Sequence, residues 1–122
     1  MYMSGSLAQA ALEYLVNVDP ESAPGDLVAR AANIPDSLAI KEIAADDLPK
    51  GWWSFPAPQS LAILGTKWAE SLATAVLRVP SAVVPQESNL ILNPNHPGFS
   101  RISVEAPVPF TFDTRAWDKR SR

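Results

Sequence analysis

The sequence predicts a small α+β domain, with two main helices and small mixed or antiparallel sheets. Three observations lead there. Two segments repeat apolar residues at helical spacing, and several brief apolar windows between turns read as strands. The windows follow one another in runs instead of alternating strictly with helices, which separates α+β from α/β architecture. Twelve prolines against five glycines keep the strands short, because proline fixes φ and removes a ladder donor.

The first helix is expected from about Ser6 to Asn17. Leu7, Ala8, Ala11, Leu12 and Leu15 form its apolar face, and Ser6, Gln9, Glu13 and Asn17 form a polar stripe opposite. Ser4 or Ser6 can cap its first turn, and Asp19-Pro20 stops it, since the residue before proline is driven out of the α region. Pro20 to Asp26 reads as a loop. A strand begins within Leu27 to Ile34, Pro35-Asp36-Ser37 turns the chain, and Leu38, Ile40 and Ile43 mark a second strand. These two are expected to pair as a hairpin. Gly51 to Pro58 is an aromatic, proline-rich loop whose large rings are expected to bury. A second helix spans about Pro58 to Ser71, with Leu61, Leu64 and Trp68 on its apolar side and Pro58 suited to its first turn. Short strands follow at Ala75–Val79, Asn89–Asn93, Arg101–Glu105 and Phe110–Phe112, and the charged tail Asp118 to Arg122 is expected to fray.

A chain of 122 residues matches a single domain with one core. Hydrophobic residues make up 47% and charged residues 19%, a composition of folded and not of disordered chains. The net charge of -3 supplies no field that would draw in nucleic acid, so direct nucleic-acid binding is not expected. Cysteine is absent, which removes disulfides, thiol nucleophiles and cysteine metal sites together and fits a reducing cytoplasm. One histidine, His96, is too few for a histidine-rich metal site, and no metal is expected. No basic run precedes an apolar stretch at Met1 to Ser6, and no apolar run approaches the ~20 residues of a membrane helix, so neither a signal peptide nor a membrane span is expected.

Read by residue type alone, the chemistry stays bland. Glu13 is one carboxylate on a helix face beside Gln9 and Asn17, Ser81 follows a proline where turns form, and His96 sits in a loop between Asn95 and Pro97. A chain with a single histidine assembles no nucleophile, base and orienting group of the hydrolytic triad kind.

Longer motifs say more. The stretch Leu77-Arg78-Val79-Pro80-Ser81-Ala82-Val83 is followed by Asn89-Leu90-Ile91-Leu92-Asn93-Pro94-Asn95-His96-Pro97. Together they resemble the C-terminal signature of RES domains, an LRVPSAV segment and then an asparagine, three hydrophobic residues and NP-x-HP. Pro109 to Arg115 is similar to the closing PFxFDxR of that family, and Gly65 and Trp68 match a helix G-x-x-W pair. At the other end, Tyr2 to Glu13 resembles the family's Y-x-S-x-S-x-A-x-A-x-L-E opening. The resemblance covers nearly the whole chain, residues 1 to 122 as one domain.

The resemblance implies an ADP-ribosyltransferase-like fold and a toxin of a type II toxin–antitoxin system that breaks the nicotinamide–ribose bond of NAD. ADP-ribose then passes to water, phosphate or a protein. It implies Glu13 as the catalytic residue and Tyr2 and Ser81 as substrate-binding residues, with NAD as substrate and no cofactor. It implies a partner too, a cognate Xre-type helix-turn-helix antitoxin that covers the NAD pocket. The family arginine belongs to a G-x-R-W segment expected some tens of residues before Tyr2, so the match is N-terminally incomplete. Arg30 and Arg78 are the substitutes at hand, with Arg30 expected to face solvent and Arg78 to keep its own place in the LRVPS strand. Two functions fit this pattern: an NAD-consuming enzyme, or a catalytically inactive remnant that acts only by binding its antitoxin. Loss of N-terminal strands from a mixed sheet would bare an edge, which is a reason to expect a partner or a homodimer.

Overall fold

A computed structural model describes residues 1–18, 25–113 and 115. Its elements run β1 (Tyr2–Ser4), α1 (Leu7–Asn17), β2 (Val28–Ala29), β3 (Ala32–Asn33), β4 (Ile40–Glu42), α2 (Gln59–Ser71), β5 (Val76–Pro80), β6 (Ser88–Leu92), β7 (Ser103–Val104) and β8 (Val108–Pro109). Single 3-10 turns lie at Ala45–Asp47 and Pro97–Arg101. The fold is α+β, with two helices and several small sheets among the described residues.

A four-stranded mixed sheet in the order β1-β6-β5-β4 is the centre of the molecule. β5 is its spine, antiparallel to β6 and parallel to β4. Successive side chains of a strand point to opposite faces, and the core divides accordingly. Val76 and Leu92 pack with Leu38 and Ala75, joined by Met3, Ile40 and Leu90. Leu77 packs with Ile43 and Trp68, joined by Leu64, Val79 and Ile91, and this second cluster includes the inward side of α2. The Trp68 indole N–H donates to Thr74 Oγ1 at 2.9 Å, so the buried ring leaves no unpaired donor.

Several expectations hold. α1 begins after Ser6, whose hydroxyl accepts the Gln9 N–H at 3.1 Å as an N-cap, and α2 begins after Pro58, which sits at its N-cap. Others are corrected. The segments around Leu27–Ile34 and Leu38–Ile43 do not form a hairpin: β2 pairs with β8, β3 with β7, and β4 with β5. Short strands carry no sequence label for their partner, so neighbours in the chain need not be neighbours in the sheet. Arg101–Glu105 is a strand only at Ser103–Val104, because the 3-10 turn occupies the residues through Arg101. Phe110–Phe112 is not a strand; the pairing residues are Val108–Pro109, and Phe110 and Phe112 instead make an edge-to-face ring pair. β1, paired with β6, is a strand the sequence does not lead one to expect. In the aromatic loop Trp52 is buried, whereas Trp53 and Phe55 are exposed. The helix stop at Asp19-Pro20, most of the Pro20–Asp26 loop and the tail 118–122 lie outside the described residues.

The inward stripe of α1 is the polar one. Gln9 is buried, while Leu7, Leu12 and Val16 are exposed. A buried polar group is tolerated only with partners, and those partners make up the site.

Candidate active site

Glu13 lies where β1, β6, α1 and the turn after β5 meet. β1 runs antiparallel to β6 with Ser4 opposite Asn89, and both side chains reach the carboxylate. Ser4 Oγ donates to Glu13 Oε2 at 2.7 Å. Asn89 Nδ2 donates to Glu13 Oε1 at 2.8 Å and, with its other hydrogen, to the Tyr2 hydroxyl. Ser81 Oγ donates to Oε1 at 3.3 Å. Three side chains therefore fix both carboxylate oxygens.

Gly5 makes this junction possible. Its N–H donates to the Ser88 carbonyl oxygen at 3.0 Å, and a Cβ added there would come 3.0 Å from that same oxygen. Only a residue without a side chain brings the start of α1 so close to β6 without displacement.

Ser81 is fully buried behind the carboxylate. Its oxygen accepts Gln9 Nε2 at 2.6 Å and the backbone N–H groups of Val83 and Val84 at 3.1 and 3.2 Å. With its acceptor capacity taken up, the hydroxyl proton is committed to Glu13. The expectation that Ser81 touches substrate does not follow from this geometry, which sets it beneath Glu13. Asn89 is also fully buried, and its Oδ1 has no hydrogen-bond partner among the described residues.

Tyr2 as a residue is exposed, but its hydroxyl end meets Asn89. Partial desolvation of the phenol and the nearby Glu13 charge raise its pKa above the ordinary 10.0, and the Asn89 hydrogen bond opposes them. The phenol is thus neutral at physiological pH and keeps its proton for donation.

Tyr2, Ser4 and Glu13 open onto a cleft of about 900 Å³, within the ~300–1,000 Å³ of small-molecule and cofactor sites. Its far wall comes from β2, β3 and β8 with Phe110 and Phe112, and Phe112 stacks on Tyr14 of α1 at 5.9 Å. Arg78 is elsewhere, 4.0 Å from Glu42 in a solvent-facing ion pair. His96 caps the 3-10 turn, accepting the Gly98 N–H at 2.8 Å through Nδ1, and no group of His, Asp or Glu able to hold a metal occurs among the described residues. No helix among them is long and apolar enough to cross a membrane.

Sequence reasoning singled out Tyr2, Glu13 and Ser81, and the fold brings all three together. It missed Ser4 and Asn89, and it gave Gln9 a place on the polar stripe beside Glu13 without a partner. Ser4 and Asn89 stood inside the motifs, and an asparagine heading the apolar run Leu90-Ile91-Leu92 is the signal of a buried polar group with a partner.

Comparison with known proteins agrees with this geometry. The family profile described as RES domain matches residues 1–113. A protein named Toxin Res from Yersinia enterocolitica serotype O:8 / biotype 1B is 38% identical over 116 residues, covering 94% of this chain and 76% of the relative. A Prs ADP-ribosylating toxin from Sphingobium sp. (strain YBL2) is 36% identical over 117 residues, covering 94% and 73%. Toxin Res from Photorhabdus laumondii is 33% identical over 117 residues, covering 94% and 74%. On the strength of the profile match, these identities and the motifs gathered around Glu13, this chain belongs to the RES domain family.

Proposed function

We propose that this chain is a toxin that breaks the nicotinamide–ribose bond of NAD and passes ADP-ribose to water, phosphate or a protein. The observation that carries the reading is a single carboxylate, Glu13, held on both oxygens at the mouth of a cleft of nucleotide size. The names of the relatives, toxins and one ADP-ribosylating toxin, support it.

In the proposed reaction the C1′–N bond of the nicotinamide ribose breaks, its electron pair leaves with the ring nitrogen, and nicotinamide departs neutral. Positive charge develops on the ribose as in glycoside cleavage. A preorganised carboxylate stabilises that charge or holds a ribose hydroxyl, and it acts best when fixed before the reaction. The acceptor oxygen then bonds to C1′ and gives its proton to solvent. Tyr2, neutral at its place beside Glu13, is suited to stack on the nicotinamide or to hold a ribose hydroxyl. Ser4, Ser81 and Asn89 are positioning residues that act through Glu13. The partner in this reading is a helix-turn-helix antitoxin that covers the cleft.

Nicotinamide release from NAD tests the reading. Release that falls at least about a hundredfold in Glu13→Gln, with the variant still folded by circular dichroism, supports it. No release by this chain or by an N-terminally extended form overturns it.

A further inference from the structure

Arg30 is exposed, as the sequence leads one to expect, and it also lines the cleft. Among the described residues that line the cleft, Glu13 and Arg30 are the two that carry charge, one of each sign. Among the described residues no carboxylate pairs with Arg30.

The side chain is tethered. β2 pairs with β8 as Val28↔Pro109 and Ala29↔Val108, and the ribbon resumes as Ala32↔Val104 and Asn33↔Ser103 between β3 and β7. Arg30 and Ala31 therefore stand opposite Glu105, Ala106 and Pro107, which is a β-bulge with the extra residue on the far strand. Across it the Glu105 N–H donates to the Ala31 carbonyl oxygen at 2.8 Å. The Glu105 carbonyl accepts Arg30 Nε at 3.1 Å. Fixing the guanidinium through Nε leaves both terminal amino groups without a partner among the described residues, in the planar fork that suits two phosphate oxygens. Bulges recur beside active sites, where they redirect a side chain.

We propose that Arg30 anchors the phosphates of a nucleotide in this cleft, opposite Glu13. The ligand class is a dinucleotide or nucleoside diphosphate sugar with an anionic centre, and the two cleft charges match a ligand whose middle is negative and whose reacting end becomes positive. The identity of that ligand rests on the NAD reading; the anion site does not.

The probe is ADP-ribose, which keeps both phosphates and lacks the nicotinamide, and its affinity is measured by calorimetry with adenosine as the uncharged comparison. Arg30→Gln is expected to weaken ADP-ribose binding about tenfold, between the effect of losing a buried charged partner and that of losing an exposed one, because the site is open to water. Arg30→Lys keeps part of the affinity, having the charge without the fork. Adenosine binding stays unchanged in both, and Lys67→Gln, the same charge change on the exposed side of α2, leaves ADP-ribose binding unchanged. Equal ADP-ribose affinity in the parent chain and Arg30→Gln overturns the proposal and leaves NAD cleavage standing, as does a parent chain that cleaves NAD with the same KM as the variant. Arg30-dependent binding of ADP-ribose, with no nicotinamide released by this chain or by an N-terminally extended form, supports the anion site and overturns the cleavage reading instead. A parent chain that binds neither ADP-ribose nor ADP overturns the anion site.

Discussion

Ser81 shows how much a residue's role depends on what surrounds its oxygen. It accepts from the Gln9 amide and two backbone N–H groups, and what remains is one proton aimed at Glu13. Ser81→Ala leaves Gln9 Nε2 and the Val83 and Val84 N–H groups without their acceptor, and buried unpaired groups cost about 1–3 kcal/mol. The variant is expected to lose about that much stability in urea unfolding. It is also expected to lower kcat for NAD about tenfold or more while KM stays within about twofold, because the carboxylate loses its orientation and the substrate loses no contact. A KM that rises while kcat holds would return Ser81 to direct substrate binding. At this scale the sequence was only partly legible. Glu13 stood out through the spacing of its motif, but Gln9, one turn before it, has the same residue type it would have on a solvated face. Polarity reports that a side chain needs a partner; it does not report whether that partner is water or Ser81.

At the scale of elements, α1 is held by its Ser6 cap and by the polar ties of Gln9 and Glu13 more than by apolar burial. It has no acidic residue in its first turn and no basic one in its last, so the macrodipole is uncompensated by side chains, and its exposed Leu7, Leu12 and Val16 contribute little burial. The Ser6 cap therefore matters more than in a well-packed helix. Ser6→Ala is expected to lower stability by about 1 kcal/mol in urea unfolding, with a parallel loss of nicotinamide release, because Gln9 and Glu13 hang on the first two turns. Unchanged stability would show that the tie between Gln9 and Ser81, and not the cap, sets the start of the helix. Both helices were legible because helical periodicity extends over three turns and averages out exceptions. The pairing of β2, β3 and β4 was not. Two-residue strands such as Val28–Ala29 and Ala32–Asn33 are too brief for alternation to register, and their partners lie at Ser103–Val104 and Val108–Pro109, at the far end of the chain. Sequence proximity favoured a hairpin, and tertiary packing chose otherwise.

Across the whole molecule, stability and function fall on different parts. β5 is the spine of the central sheet and supplies Val76 and Leu77 to the two buried clusters, and β6 supplies Leu92 to the first. The cleft wall instead rests on two ladders of two residue pairs each, joined at the bulge beside Arg30. In these ladders and the bulge between them, Val28, Arg30, Val104 and Val108 are exposed. Local opening is cheapest where few apolar contacts and many solvent-facing hydrogen bonds hold a segment, and ligand-binding segments come from that end of the range. Hydrogen exchange is therefore expected to be slowest at the amides of Val76–Val79 and Asn89–Leu92 and fastest, among the paired strands, at Val28–Asn33 and Ser103–Val108. Saturation with ADP-ribose should slow the second group and leave the first unchanged, since a ligand that bridges Glu13 and Arg30 ties the ribbon to α1 and adds nothing to the core. Uniform exchange across both groups without ligand would mean that the ribbon opens only when the whole domain unfolds. In that case the cleft is a rigid mould, and the bulge sets the direction of Arg30 without lending the wall any motion.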